Sequence, residues 1–247
     1  MPVTQVALIV GSGQGLSASL ARLFAREDMK VVLAARNVEK LAPLMKATGA
    51  AAYPCDASDP ADVAALFAKT VKDVGVPDVV VYNASNRGGR NPVTELDPDE
   101  VRTGILVTCF GGFLVGQAAA KAMVERGSGS ILFTGASASY KGYPNSSSFA
   151  MGKFGLRGLA QSMARELAPK NIHVAHFPID GGIRQGPDDK RGEGRRGAPV
   201  HRLRHQRDRH GRELRIRAFG SLGRRYRGYR SGYRRCRACR NSRKGDF

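Results

Sequence analysis

The chain has 247 residues, 42% hydrophobic and 25% charged, with no Trp, which is length for one large domain or two small ones around a sizeable core. Its 40 Lys and Arg against 21 Asp and Glu give +19, unevenly spread: residues 1–182 hold 18 basic and 15 acidic groups (+3), residues 183–247 hold 22 and 6 (+16), with Arg outnumbering Lys 20 to 2 in the latter. A uniformly basic protein is excluded, because an ordinary globular segment is joined to a tail of another kind.

The start, Met1 to Val10, lacks the basic n-region of a signal peptide and its apolar run is too short for one. Four cysteines at uneven spacing (55, 109, 236, 239) make no disulfide framework, so a reduced, cytoplasmic setting is expected.

In chain order, Gln5–Val10 reads as a buried strand followed by a Gly-rich turn and a helix near 15–28. Lys30–Ala35 is a second strand, with a helix from about Val38. Ala50–Pro54 is a weaker strand, and Asp59 caps a helix running to Val74. Asp78–Asn83 is a fourth strand, and Asp97 opens a long helical region to about Glu125. Its most apolar stretch, Gly104 to Met123, is broken by Thr108, Gln117 and Lys121 and reads as a core helix rather than a membrane span. Ser130–Thr134, Ser146–Ala168 and Ile172–Phe177 supply a fifth strand, a helix and a sixth strand. Continuous Val/Ile/Leu strands alternating with helices predict an α/β fold, a doubly wound, Rossmann-like parallel sheet of about six strands with helices on both faces.

Gly11-Ser12-Gly13-Gln14-Gly15-Leu16 follows the first strand and opens a helix. Glycines there permit a tight turn and close approach of a diphosphate, and the helix N-terminus adds free N–H groups and positive potential. At the end of the second strand, an acidic residue would hold the ribose hydroxyls of NAD. The chain has Ala35-Arg36, and a guanidinium suits a 2′-phosphate, so NADP(H) is expected over NAD(H).

Over residues 4–183 the sequence resembles the short-chain dehydrogenase/reductase family. The resemblance rests on Gly11-x-x-x-Gly15, Cys55-Asp56, Tyr82-Asn83-Ala84-Ser85, Phe149-x-x-x-Lys153 and Asp180-Gly181-Gly182-Ile183, in that order and spacing. It implies that the chain transfers hydride between a nicotinamide cofactor and a small carbonyl or alcohol substrate. Gly11, Ser12, Gly13, Gly15 and Leu16 would form the cofactor turn. Asp56, with Ala57 beside it, would meet the adenine, and Asn83 and Ala84 would run along its ribose. Lys153 would bond the nicotinamide ribose and lower the pKa of the catalytic acid, while Gly182 and Ile183 would meet the carboxamide.

The departures bear on chemistry. Where the family has a proton-transferring Tyr, four residues before the Lys, this chain has Phe149, which has no ionisable group. Thirteen residues before Phe149, at the family's Ser, stands Ala136, with Ser137 one step away. The family's Asn in the middle helix aligns with Thr108, and the last glycine of the cofactor turn is Ser17. Either another group supplies the proton, with Ser137, Tyr140, Tyr143 and Ser148 beside the expected site, or the chain binds cofactor without efficient carbonyl chemistry.

From residue 184 the pattern stops, and only 16 of residues 183–247 are apolar. Such a segment cannot offset a backbone ordering cost of about 1–2 kcal/mol per residue, and disorder is expected. Its Arg/Tyr run, Arg224 to Arg235, could contact nucleic acid, which makes a basic RNA-associated protein the rival from another class. Cys236 and Cys239 with His201, His205 and His210 fall short of a metal site, since the neighbouring arginines repel a cation. The abrupt change to Arg with almost no Lys is what an out-of-frame reading of a GC-rich gene would produce. The family's further helix and seventh strand have no counterpart there, so a poorly stable chain is expected. By resemblance, a homodimer or homotetramer would form through the two long helices, near 97–125 and 146–168.

Overall fold

The computed structural model of the chain describes residues 4–180. Six strands, β1 (Val6–Val10), β2 (Lys30–Ala35), β3 (Ala51–Pro54), β4 (Val79–Tyr82), β5 (Gly129–Ala136) and β6 (Ile172–Ile179), alternate with six helices. These are α1 (Leu16–Arg26), α2 (Ala42–Thr48), α3 (Pro60–Asp73), α4 (Pro98–Ile105), α5 (Gly111–Arg126) and α6 (Ser147–Leu167). The sheet order is β3-β2-β1-β4-β5-β6 and every pairing is parallel. The doubly wound sheet expected from the alternating pattern is therefore the fold. Gly182, Ile183 and the tail 184–247 lie outside the described residues.

Residues of one strand alternate between two cores. Val6, Leu8 and Val10, with Val80, Tyr82, Ile131 and Phe133, face α3, α5 and α6 through Leu66, Val115 and Leu156. Ala7, Ile9, Val31, Leu33 and Val81 face α1 and α2 through Ala21, Phe24 and Leu44. This double burial is why the strands read as unbroken apolar runs. Each fully buried Leu, Ile or Phe contributes about 1.5–3 kcal/mol relative to exposure.

Two helices, α3 and α4, begin where the sequence places caps. Asp59 accepts from Ala61 N and Asp62 N, and Asp97 accepts from Asp99 N, each ahead of a Pro in the first turn. The long helix from Pro98 to Arg126 is apolar enough by length and composition to cross a membrane, yet it lays Gly111, Gly112, Val115, Gly116, Ala119 and Met123 into the core. Its glycines permit that approach: a Cβ on Gly112 would lie 2.4 Å from Leu156 Cδ1. Helical periodicity gave no warning of the π turn at Leu106–Phe110 between α4 and α5. Tyr82, far off in sequence on β4, donates its hydroxyl to the Val107 carbonyl within that turn.

At the opposite end of the sheet, Arg126 ties three segments together. Its guanidinium donates to the carbonyls of Val76, Pro77 and Ser128 and meets Asp78 Oδ1 at 3.2 Å. Asp78 Oδ2 accepts from Val6 N at 2.7 Å, so the starts of β1, β4 and β5 share one polar clamp. Arg126→Met should lower unfolding free energy by about 1–3 kcal/mol in urea, since it strips partners from a half-buried carboxylate and three carbonyls. An unchanged midpoint would show the clamp to be energetically idle.

Candidate functional site

In an open parallel sheet, the crevice at the carboxyl ends of the strands lies where chain direction across the sheet reverses. Here that point is between β1 and β4, and a cleft of about 590 Å³ opens there. Its walls are the segments after β1 (Gly11–Gln14), β2 (Ala35–Asn37, with Lys40 and Leu41), β3 (Cys55–Ala57) and β4 (Asn83–Ser85). Eight of the residues that sequence reading assigned to a cofactor line this one cleft: Gly11, Ser12, Gly13, Arg36, Asp56, Ala57, Asn83 and Ala84. Gly15 and Leu16 sit at the start of α1 behind the turn.

The turn is held by its own polar groups. Gly11 has φ +83, and a Cβ there would lie 2.2 Å from Ala84 N, so only glycine fits. Asn83 Nδ2 donates to Ser17 Oγ at 2.7 Å, and Ser17 Oγ donates to Gly11 O at 3.1 Å. Ser17, which replaces the last glycine of the family's turn, thus braces it from behind. Gly15 precedes α1 with no side-chain cap, and nothing lies within 4 Å of a Cβ built on Gly13. An uncapped helix N-terminus beneath an open glycine fits a diphosphate. Hydrogen bonds from the Ser58 side chain and backbone hold the Asp56 carboxyl below its ordinary range, overcoming burial, with Arg36 adding to the effect. Asp56 therefore stays an acceptor.

The second half of the site centres on Phe149, at the start of α6. Lys153, one turn on, is 3% exposed, donates to Thr134 O at 2.8 Å and lies 5.7 Å from the Phe149 ring centroid. Burial, with the nearby Arg87 charge, lowers its pKa to about 8. Its two other N–H groups have no protein acceptor among the described residues. Ala136 and Phe149 offer no O–H donor at the two positions where the family has Ser and Tyr.

The other candidate hydroxyls sit in differing surroundings. Ser137 accepts from Tyr140 N and Lys141 N on its backbone carbonyl, and no hydrogen bond of its hydroxyl occurs among the described residues. Tyr140 stacks under Arg157, and Tyr143 carries Lys141 over its ring at 4.9 Å, both tyrosines being exposed. Ser148 Oγ is buried without a partner among the described residues, against Gly88 and Gly104. Thr108, fully buried, accepts from Asn86 N at 3.0 Å and donates to Asn86 O at 2.9 Å, so its hydroxyl staples a loop.

Two residues of the site escaped sequence reading. Arg87, on that stapled loop, places its guanidinium 4.5 Å from the Phe149 centroid. A cation four residues after Asn83 was the available signal. His176 on β6 fills the space over Gly135, its Nε2 3.3 Å from Ser139 Oγ. Ser139 Oγ also accepts from Ala136 N at 3.2 Å, so one hydroxyl links the end of β5 to the His176 ring. Burial, then the charges of Lys153 and Arg157, push His176 down to about 4. Neutral His176 is thus a packing group that supports Ser139. No group of three or more potential metal ligands occurs among the described residues.

The folded pKa of Lys153 lies below the ordinary 10.5 of an unfolded chain. Between about 8 and 10.5 the unfolded state therefore binds more protons, and stability rises with pH; below about 8 the cost of burying the ammonium is present in full. The stability of the wild type relative to Lys153→Met should accordingly rise from pH 7 to pH 10, by at most about 3 kcal/mol. Urea unfolding of both proteins at the two pH values checks this, and a flat difference would mean an unshifted amine.

Comparison with known proteins agrees with this geometry. The family description "short chain dehydrogenase" matches residues 5–179. The chain is 31% identical over 175 residues to Short chain aldehyde dehydrogenase 1 of Euphorbia lathyris, covering 69% of this chain and 61% of that protein's length. It is similar to the crystal structure of a short-chain dehydrogenase from Rhodopseudomonas palustris, with 38% identity and a TM-score of 0.66 over 71% of this chain and 84% of that one. A gluconate 5-dehydrogenase from Burkholderia cenocepacia J2315, in complex with NADP and tartrate, aligns with 30% identity and a TM-score of 0.67 over 72% and 71% of the two chains. With the family match covering most of its length, the chain belongs to the short-chain dehydrogenases, a family of NAD(P)-binding oxidoreductases.

Proposed function

We propose that the chain binds NADP(H) in the cleft between β1 and β4 and is a short-chain oxidoreductase scaffold for a small carbonyl or alcohol compound, with weakened carbonyl chemistry. The observation that carries the cofactor reading is Arg36 at the end of β2, with Lys40 in the same wall and no carboxylate at that strand end. Two cations there suit a 2′-phosphate. The NADP bound by the similar gluconate 5-dehydrogenase supports the same choice. In this reading the Gly11–Gly15 turn and the start of α1 hold the diphosphate, Asp56 and Ala57 border the adenine, and Asn83 and Ala84 border its ribose. Lys153 offers its two unused N–H groups to ribose hydroxyls.

When bound, a nicotinamide cofactor supplies or accepts the hydride. What the protein must add is a proton at the substrate oxygen, and the Phe149 ring cannot give one. A catalytically silent nucleotide-binding protein is the second reading, and Phe149 together with Ala136 is the observation that favours it.

The exposed apolar side chains of the long helices, Leu106, Phe110, Phe113, Met151 and Phe154, support a homodimer or homotetramer packed through that face. Phe110 and Phe113 stack with centroids 6.1 Å apart. The free Cys55 and Cys109 accord with a cytoplasmic setting.

Fluorescence titration should show NADPH binding tighter than NADH. Arg36→Ala should weaken NADPH by about tenfold or more, the scale of a charged hydrogen bond, and leave NADH unchanged. Equal affinity for both cofactors in the wild type would overturn the NADP(H) assignment. For the chemistry, Phe149→Tyr combined with Ala136→Ser should raise NADPH-dependent turnover across a carbonyl screen by about 100- to 10,000-fold. A wild type already as fast as the double variant would mean that another group delivers the proton.

A further inference from the structure

Arg87 has no assigned role, and its surroundings are built. Asn86, immediately before it, is bonded in both directions to Thr108. Asn86 Oδ1 accepts from Gly88 N at 3.0 Å, which tightens the turn around Arg87. Gly88, immediately after, has φ +63 and is wedged between α4 and α6; a Cβ there would lie 2.1 Å from Ser148 Oγ and 2.8 Å from Glu100 O. The backbone is thus fixed on both sides of Arg87, and the ring of Phe149 lies under its guanidinium.

Arg87 is exposed, so its guanidinium is open to water and to any ligand in the site. Among the described residues it makes no hydrogen bond, and no carboxylate comes within ion-pair distance of it. The groups around it are mostly cations: Lys153 shares the Phe149 ring, and the charge of Arg90 acts on it. Glu100 packs its carboxylate against Gly89 without pairing. Arg157 is already engaged, donating to Ser139 O and stacking on Tyr140. Stacked on a ring, a guanidinium keeps its edge N–H groups directed outward in a fork that matches a carboxylate. The cofactor's phosphates do not explain it, because the cleft wall along the β4 loop ends at Ser85.

We infer that Arg87, held over Phe149 by the Thr108–Asn86 staple, is the receptor for a carboxylate on the substrate, so that the site takes small organic acids bearing a carbonyl or hydroxyl. The inference rests on the proposed oxidoreductase reading for the reacting group but not for the anion contact. Thr108 then acts as a positioning residue, and the loss of a proton donor at Phe149 coincides with an aromatic platform for a cation.

The test uses the full chain and two probes of one shape, phenylglyoxylate and its neutral methyl ester, titrated by calorimetry at physiological salt with and without NADPH. The wild type should bind the acid at least about tenfold tighter than the ester, the scale of one charged hydrogen-bonded contact. Arg87→Gln should erase that preference, Arg87→Lys should retain part of it, and Arg22→Gln, an exposed arginine on α1, should leave it intact. The Arg22 variant and the salt separate Arg87 from the other arginines of the chain. An acid no better bound than the ester, including no binding of either, or an Arg87→Gln variant equal to the wild type, would overturn the inference. The NADPH arm reads the cofactor proposal separately: acid preference without NADPH binding defeats that proposal and not this one.

Discussion

The close approach of Gly11 to Ala84, where β1 and β4 part, is the constraint on which the site depends. Asn83 continues the sheet by donating its backbone N–H to Val10 O, and its side chain donates to Ser17. The turn after β1 and the loop after β4 are therefore one hydrogen-bonded unit, with no room between them for a side chain at position 11. The orientation of α1 follows, since Ser17 lies in its first turn and returns a bond to Gly11 O. So does the cleft, because its two central walls are the two halves of that unit. Downstream, the β4 loop runs on to Asn86 and Thr108, which places Arg87 over α6. The cleft wall and the position of Arg87 are thus set by the same few backbone contacts.

Polar satisfaction explains much of what the site lacks as well as what it holds. Thr108 is buried, and a hydroxyl there without partners would cost about 1–3 kcal/mol; the Asn86 backbone absorbs both its donor and its acceptor. Ser139 and His176 solve the same problem under β5. Gly135 leaves a space that the His176 ring fills, and burial, then the charges of Lys153 and Arg157, keep the ring neutral. Lys153 is the exception. Its ammonium is buried with one carbonyl partner and a neighbouring cation, an arrangement that is unfavourable until other acceptors arrive. A buried cation of this kind is a candidate ligand contact, the role proposed for Lys153.

How far the sequence disclosed this architecture follows from the range of the forces involved. Strands such as Lys30–Ala35, and caps such as Asp59 and Asp97, depend on neighbours within a few residues, and the fold shows them where the pattern puts them. The Gly11 turn was legible because only glycine tolerates both its φ and its neighbour. The π turn was not, and the hydroxyl it meets there belongs to Tyr82 on β4, distant in sequence. Arg87 was hidden for a similar reason: it stays exposed on a polar loop, and only the packing of α4 and α6 on Gly88 shows that Phe149 lies beneath it. The absence of an acid at Phe149 could be read from one position, but its surroundings required the tertiary structure.

Replacing a phenol by a phenyl ring between two cations changes the electrostatics of the site more than it changes its shape. A tyrosine beside Lys153 and Arg87 would have its phenolate form favoured by both charges, which is how cations make such a group an effective acid. With Phe149 there is no anion for them to stabilise, and they repel one another across a ring whose face attracts each only weakly. Burial, and then the Arg87 charge, lower the Lys153 pKa, and Arg87 has no ion-pair partner among the described residues. Repulsion of that kind is relieved by negative charge brought from outside. In the proposed reading, the missing phenol at Phe149 and the anion contact at Arg87 thus follow from one aromatic position in one field.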